Sequence, residues 1–113
     1  MAARDADVAL PDSPFAPGDD GYRLQAPLLF GTIEKLRPLG IALIDAAGSE
    51  LRLDLSAVTA ADSAGLALLI HWLACARSAG KRLCYVRVPA ALMALARLSD
   101  VAPLLADAGA PVH

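Results

Sequence analysis

The strictest alternation lies mid-chain. Leu51-Arg52-Leu53-Asp54-Leu55 sets three leucines on one side and Arg52 and Asp54 on the other, the pattern of a strand with one face on a core. After a loop, Asp62-Ser63 stand directly before the apolar run Gly65–Arg77, which stops at Gly80. A start signal, a helical body and a stop signal together predict a helix. On it Leu66, Leu69, Ile70 and Leu73 form one stripe suited to a sheet, while Leu68, Trp72 and Cys75 form a second on another flank. Such a helix needs cover on two sides. The second cover is either helix 89–98 or another protein, for which a partly exposed Trp72 would be the natural anchor, with His71 beside it at the surface.

Weaker patterns flank this centre. Tyr22–Gln25 alternates like an edge strand, and Leu28-Leu29-Phe30 after Pro27 predicts a second short strand in hairpin-like succession. Thr32 is a candidate N-cap for a helix carrying Ile33, Leu36, Leu39, Ile41, Leu43 and Ile44. Pro38 and Gly40 fall inside that pattern, so the helix is expected to break or begin late. Residues 82–88 are β-rich up to Pro89, Leu92, Leu95, Ala96 and Leu98 recur at helical spacing, and Val101, Leu104 and Leu105 predict a last short strand or helical turn. The fold class is therefore α/β, with single helices between sheet-forming segments. Right-handed crossovers would set strands 51–55 and 82–88 side by side and parallel, with the functional surface at the loop Ser56–Asp62.

At 113 residues the chain has room for one domain. Residues 1–20, with Pro11, Pro14, Pro17 and Gly18 among small and acidic side chains, bury too little apolar surface to offset their ordering entropy. They read as a flexible tail, and residues 21–113 as the domain. The net charge is -2, but the tail holds five aspartates against Arg4 alone, leaving nine basic and seven acidic side chains, or +2, in 21–113. That near balance, with aromatics at 4%, argues against nucleic acid as a partner. The longest uncharged stretch, Ser63–Ala76, would span only about 21 Å as a helix against a hydrocarbon core of about 30 Å, so no membrane insertion is expected. The acidic start does not resemble a signal peptide, and a cytosolic protein is expected. Cys75 and Cys84 lie in apolar segments as reduced hydrophobes, and with His71 and His113 they form no metal-ligand spacing. No metal or other cofactor is expected.

Ser63 carries three readings. As a cap, Ser63 or Asp62 would contribute about 1 kcal/mol to the helix and need no further role. As a phosphate acceptor, Ser63 would gain about -1.5 to -2 charge at the positive end of a helix, enough to abolish a neutral interface. As a nucleophile, Ser63-Ala64-Gly65 matches only the second half of a G-x-S-x-G elbow. The leading glycine is missing, and His71 lies about 12 Å up the same helix, beyond hydrogen-bond reach.

The segment L-R-L-D-L-S-A-V-x-x-x-D-S-A-G-L-A-L-L at 51–69 resembles the signature of the STAS domain, found in anti-sigma-factor antagonists and in sulfate-transporter tails. Trp72, G-K-R-L-C-Y-V-R-V-P at 80–89 and A-L-M-A-L-A-R-L-S-D-V at 91–101 extend the likeness toward the MlaB branch of that family. It covers roughly 21–105 and is specific over 51–101. The resemblance implies a STAS-like mixed β-sheet covered by helices, the anti-sigma-factor-antagonist-type fold. It also implies a non-catalytic subunit bound to the cytoplasmic ATPase of a phospholipid-trafficking ABC transporter and, through it and its permease, held at the inner membrane. The subunit would support assembly and activity in outer-membrane lipid asymmetry, with no lipid site of its own. Carried over by position, Asp62, Ser63, Ala64, Gly65 and Trp72 are the partner-binding candidates, with His71, Ala91 and Arg97 as additions. In the anti-sigma-factor antagonists the serine in the place of Ser63 is a kinase target, which makes a phosphorylated partner switch the alternative. Apolar flanks would also let the isolated chain form a homodimer.

Overall fold

The 51–55 alternation does produce a strand, and its neighbours follow from it. The computed structural model describes residues 13–18 and 21–107. In chain order these form β1 (Phe15–Pro17), β2 (Tyr22–Leu24), α1 (Phe30–Ala46), β3 (Glu50–Asp54), α2 (Ser63–Ser78), β4 (Arg82–Val86), α3 (Ala90–Leu98) and α4 (Ala102–Asp107). The described strands make one mixed sheet of order β1-β2-β3-β4, with β1 antiparallel to β2 and the other pairs parallel. The expected α/β architecture holds, including the parallel pair β3 and β4, which runs in register from Glu50 opposite Arg82 to Asp54 opposite Val86. Leu24, Leu51, Leu53, Leu83 and Tyr85 are buried on one face of that sheet, where α1 and α2 close the core.

Four expectations are corrected. The proposed tail is structured in its described part: Phe15–Pro17 pairs with Tyr22–Leu24, and the Gln25 N–H donates to the Pro14 carbonyl at 2.6 Å. Residues 1–12, 19 and 20 lie outside the described residues. The hairpin is therefore 15–17 with 22–24, whereas Leu28 makes only a single parallel bridge to Ala61 and Phe30 already opens α1. The expected break in α1 does not occur. Pro38 faces solvent, while Leu36, Gly40 and Ile44 form the buried face, so packing outweighs the lost N–H of one proline. The last segment takes the helical of its two expected forms, as α4.

Trp72 is the fourth correction, and it concerns the candidate site directly. Its side chain is 1% exposed, so it is no surface anchor. The indole N–H donates to the Arg37 carbonyl at 3.2 Å, and Phe15 packs against the ring with centroids 5.9 Å apart. A Cβ at position 40 would collide with the indole, so Gly40 is what lets α1 and α2 approach over Trp72. The second stripe of α2 is thus covered by α1 and β1.

Helix ends are sealed by side chains and by glycine. Gly80 takes φ 72° after α2, and the Gly80 and Lys81 N–H groups return to the Arg77 and Ala76 carbonyls at 3.0 and 2.9 Å. Lys81 then reaches across to the C-terminus of α1, where Nζ donates to the carbonyls of Ile44, Asp45 and Ala47 at 2.8 to 2.9 Å. A cation is well placed there, at the negative end of the helix.

Candidate protein-docking site

The site is built around the one point where α1 and α2 begin side by side. The Leu28 N–H donates to the Ala60 carbonyl at 2.9 Å, and the Asp62 N–H donates to the Leu28 carbonyl at 3.0 Å, a two-bond clasp that aligns both helix starts. Gly65 belongs to this clasp: a Cβ there would run into the Leu28 backbone, so only glycine permits the approach.

Asp62 then caps both helices. One carboxylate oxygen accepts the Gly65 N–H at 3.1 Å, and the other accepts the Phe30 N–H at 3.0 Å. The Phe30 N–H lowers the Asp62 pKa most. Burial opposes the shift, and the Gly65 and Ala64 N–H groups add to it, so the carboxyl stays ionised below the usual carboxylate range. At α1, Thr32 supports the same start: its hydroxyl accepts the Leu29 N–H at 3.1 Å and donates to the Pro27 carbonyl at 2.7 Å.

This assigns the cap to Asp62 rather than Ser63. Ser63 is the first residue of α2, exposed and outside the cap, and Ala64 beside it is half-buried. Phe30, 76% exposed, stands at the start of α1, one hydrogen bond from Asp62. It was not among the candidates, because Leu28-Leu29-Phe30 reads as a strand with alternating faces. The available signal was Thr32 as the third residue of a helix instead of its cap.

The remaining candidates divide. Gly65 and Trp72 are buried and shape the site from within. His71 is exposed on the face of α2 that also carries Ser63 and Ala67, and its Nε2 lies 3.5 Å from Cys75 Sγ. Ala91 and Arg97 are exposed at opposite ends of α3, and neither is bonded to the Asp62 turn among the described residues. On the far side of the loop, Asp54 accepts the Ser56 N–H at 2.8 Å and pairs with Arg87 at 2.9 Å. Burial raises the Asp54 pKa, and these bonds together outweigh it, leaving the carboxyl lowered. Among the described residues no cluster of three His, Cys, Asp or Glu could hold a metal, and no helix is long and apolar enough to cross a membrane.

The arrangement of β3, a seven-residue loop and a helix opened by Asp62-Ser63 is matched by a family model described as Mlab, STAS domain, over residues 21–106. The chain belongs to the STAS-domain family. The match runs from β2 through α4, so β1 precedes the part of the STAS domain that the family model covers. STAS domains are generally non-catalytic. A search of curated proteins finds none that matches the chain.

Proposed function

We propose that this STAS domain is a subunit of a phospholipid-trafficking ABC transporter and that the shared start of α1 and α2 docks on the transporter's cytoplasmic ATPase. The observation that carries the reading is the double cap by Asp62, which ties one N–H at each helix start to the same carboxylate and leaves Phe30 and Ser63 exposed on a braced edge. Such an edge offers a large apolar anchor beside a small neutral hydroxyl on a rigid support, the makings of an interface centre. The family description supports the same assignment. The subunit acts by binding, in support of the assembly and activity of the transporter that maintains outer-membrane lipid asymmetry, and it reaches the inner membrane only through the ATPase and its permease. Copurification from cells tests this: recovery of an ATPase together with membrane subunits is the expected result, and their absence overturns it.

A second reading is favoured by one feature, the exposed Ser63 hydroxyl left outside the cap. In it the chain is an anti-sigma-factor antagonist released from its partner when Ser63 is phosphorylated. Copurification with a serine kinase in place of the transporter subunits, and labelling that is lost in Ser63→Ala, is the outcome that selects it.

A further inference from the structure

α4 packs chiefly on α3, and a groove of about 570 Å³ stays open between α4 and the C-terminal half of α2, beside the start of β4. Ile70 and Leu73 of α2, Leu83 of β4 and Pro103 and Leu104 of α4 give it apolar walls, with Leu104 43% exposed and Ile70 and Leu73 half-buried. A hollow of this size, apolar with a few convergent polar groups, falls within the range of small-ligand sites.

Its charge sits at one end. Arg77 lies in the last turn of α2 and Arg82 opens β4, whereas Leu73 and Ile70 stand about 6 and 10 Å further back along the axis of α2 from Arg77. Lys81 also lines the groove, but its Nζ is taken up by the carbonyls at the end of α1. Among the described residues no carboxylate lines the groove or pairs with Arg77 or Arg82, and Glu50, opposite Arg82 in the sheet, pairs with Arg52 instead. An apolar trough with two guanidinium groups at one end is complementary to a hydrocarbon tail that ends in a single anion. A docked helix fits it less well. At about 10 Å across and 5.4 Å per turn, a helix would fill such a volume with roughly one turn, whereas helix-in-groove recognition spreads its anchors over two turns or more. We propose that the groove binds a single-chain fatty-acid anion, its tail along Ile70, Leu73, Leu83 and Leu104 and its carboxylate between Arg77 and Arg82, whose planar forks suit that head group. This ligand site is separate from the docking edge, since Arg77 lies about 21 Å from Ser63 along α2, and it does not depend on which partner that edge takes.

The test titrates the full, isotope-labelled chain with sodium dodecanoate below its micelle concentration. Saturable shifts are expected at the amides of Leu73, Ala74, Arg77, Leu83 and Leu104, with those of Phe30 and Ser63 unmoved. Decanoate, two methylenes shorter, should bind about fivefold more weakly, because each methylene withdrawn from water contributes up to about a factor of four. Dodecyltrimethylammonium, with the same tail and the opposite charge, should bind at least about tenfold more weakly, and Arg77→Gln/Arg82→Gln should weaken dodecanoate by a similar factor. Ala74→Trp, at an exposed position on the groove, should block binding and leave the melting temperature within about a degree or two. Absence of saturable shifts, equal affinity for the two head groups, shifts centred on the docking edge, or a double replacement without effect overturns the proposal. So does loss of ATPase recovery in Ala74→Trp, which would assign the groove to a protein partner.

Discussion

A carboxylate that accepts the Phe30 N–H with one oxygen and the Gly65 N–H with the other is tied to two helix starts, so its removal leaves donors unpaired at both. Asp62→Ala should lower stability by about 1–2 kcal/mol, the upper end for a single cap, as measured by urea unfolding. The pH dependence has a definite sign. Because the folded Asp62 and Asp54 carboxyls titrate below 3.8, the unfolded chain takes up protons first, and their contribution is complete above about pH 4 and fades as pH falls through the lowered values. The acid-side decline in melting temperature should therefore be shallower in Asp62→Asn. Trp72 behaves oppositely to a surface anchor: Trp72→Ala should cost about 3–5 kcal/mol of stability by emptying the space between α1, α2 and β1. Gly40→Ala offers a sharper test of the same packing. On an open helix surface it would gain about 1 kcal/mol, but here the added methyl meets the indole, and a lowered melting temperature is expected.

At the scale of elements, β1 and the α1 terminus show stabilisation by pieces distant in sequence. Removing residues 1–18 should destabilise the domain by about 2 kcal/mol or more relative to a chain lacking only 1–12, because Phe15 leaves the Trp72 ring and β2 loses its antiparallel partner. Lys81 joins the end of α1 to the start of β4, so Lys81→Met should lower stability by about 1–3 kcal/mol in the same unfolding assay. Elements with their own period were legible: β3 by alternation, α2 by its start and stop signals, and β4 by its β-rich run. Those without one were misread. A three-residue strand beside Pro14 and Pro17 has too few positions to show alternation, and Pro38 conceals a helix whose continuity depends on burial of Leu36, Gly40 and Ile44.

For the whole molecule the proposed docking edge makes a prediction that separates binding from folding. Ser63→Glu and Phe30→Ala should each abolish or strongly weaken recovery of the ATPase while leaving the melting temperature within about a degree or two, because both side chains are exposed and make no core contact. Ser63→Glu acts by burying an unpaired carboxylate against the partner. Loss of stability without loss of binding would return both residues to a structural role. Of the site, Asp62 and Ser63 were legible because a cap precedes a strong helix. Phe30 was not, because its place beside Asp62 depends on a clasp between residues 28 and 61 that no local pattern contains.

The amino-acid order alone determined an α/β domain, its parallel central pair and the turn at Asp62-Ser63, since alternation, caps and a glycine stop are local properties of a few neighbouring residues. Only the tertiary structure decided that Trp72 lies inside, that α1 is unbroken, that Phe15–Pro17 belongs to the sheet and that Phe30 stands beside Asp62. Each of these is settled by a contact with a residue more than thirty positions away or by a strand partner across a turn, and burial at such distances is a property of how elements pack, which no short window of sequence expresses.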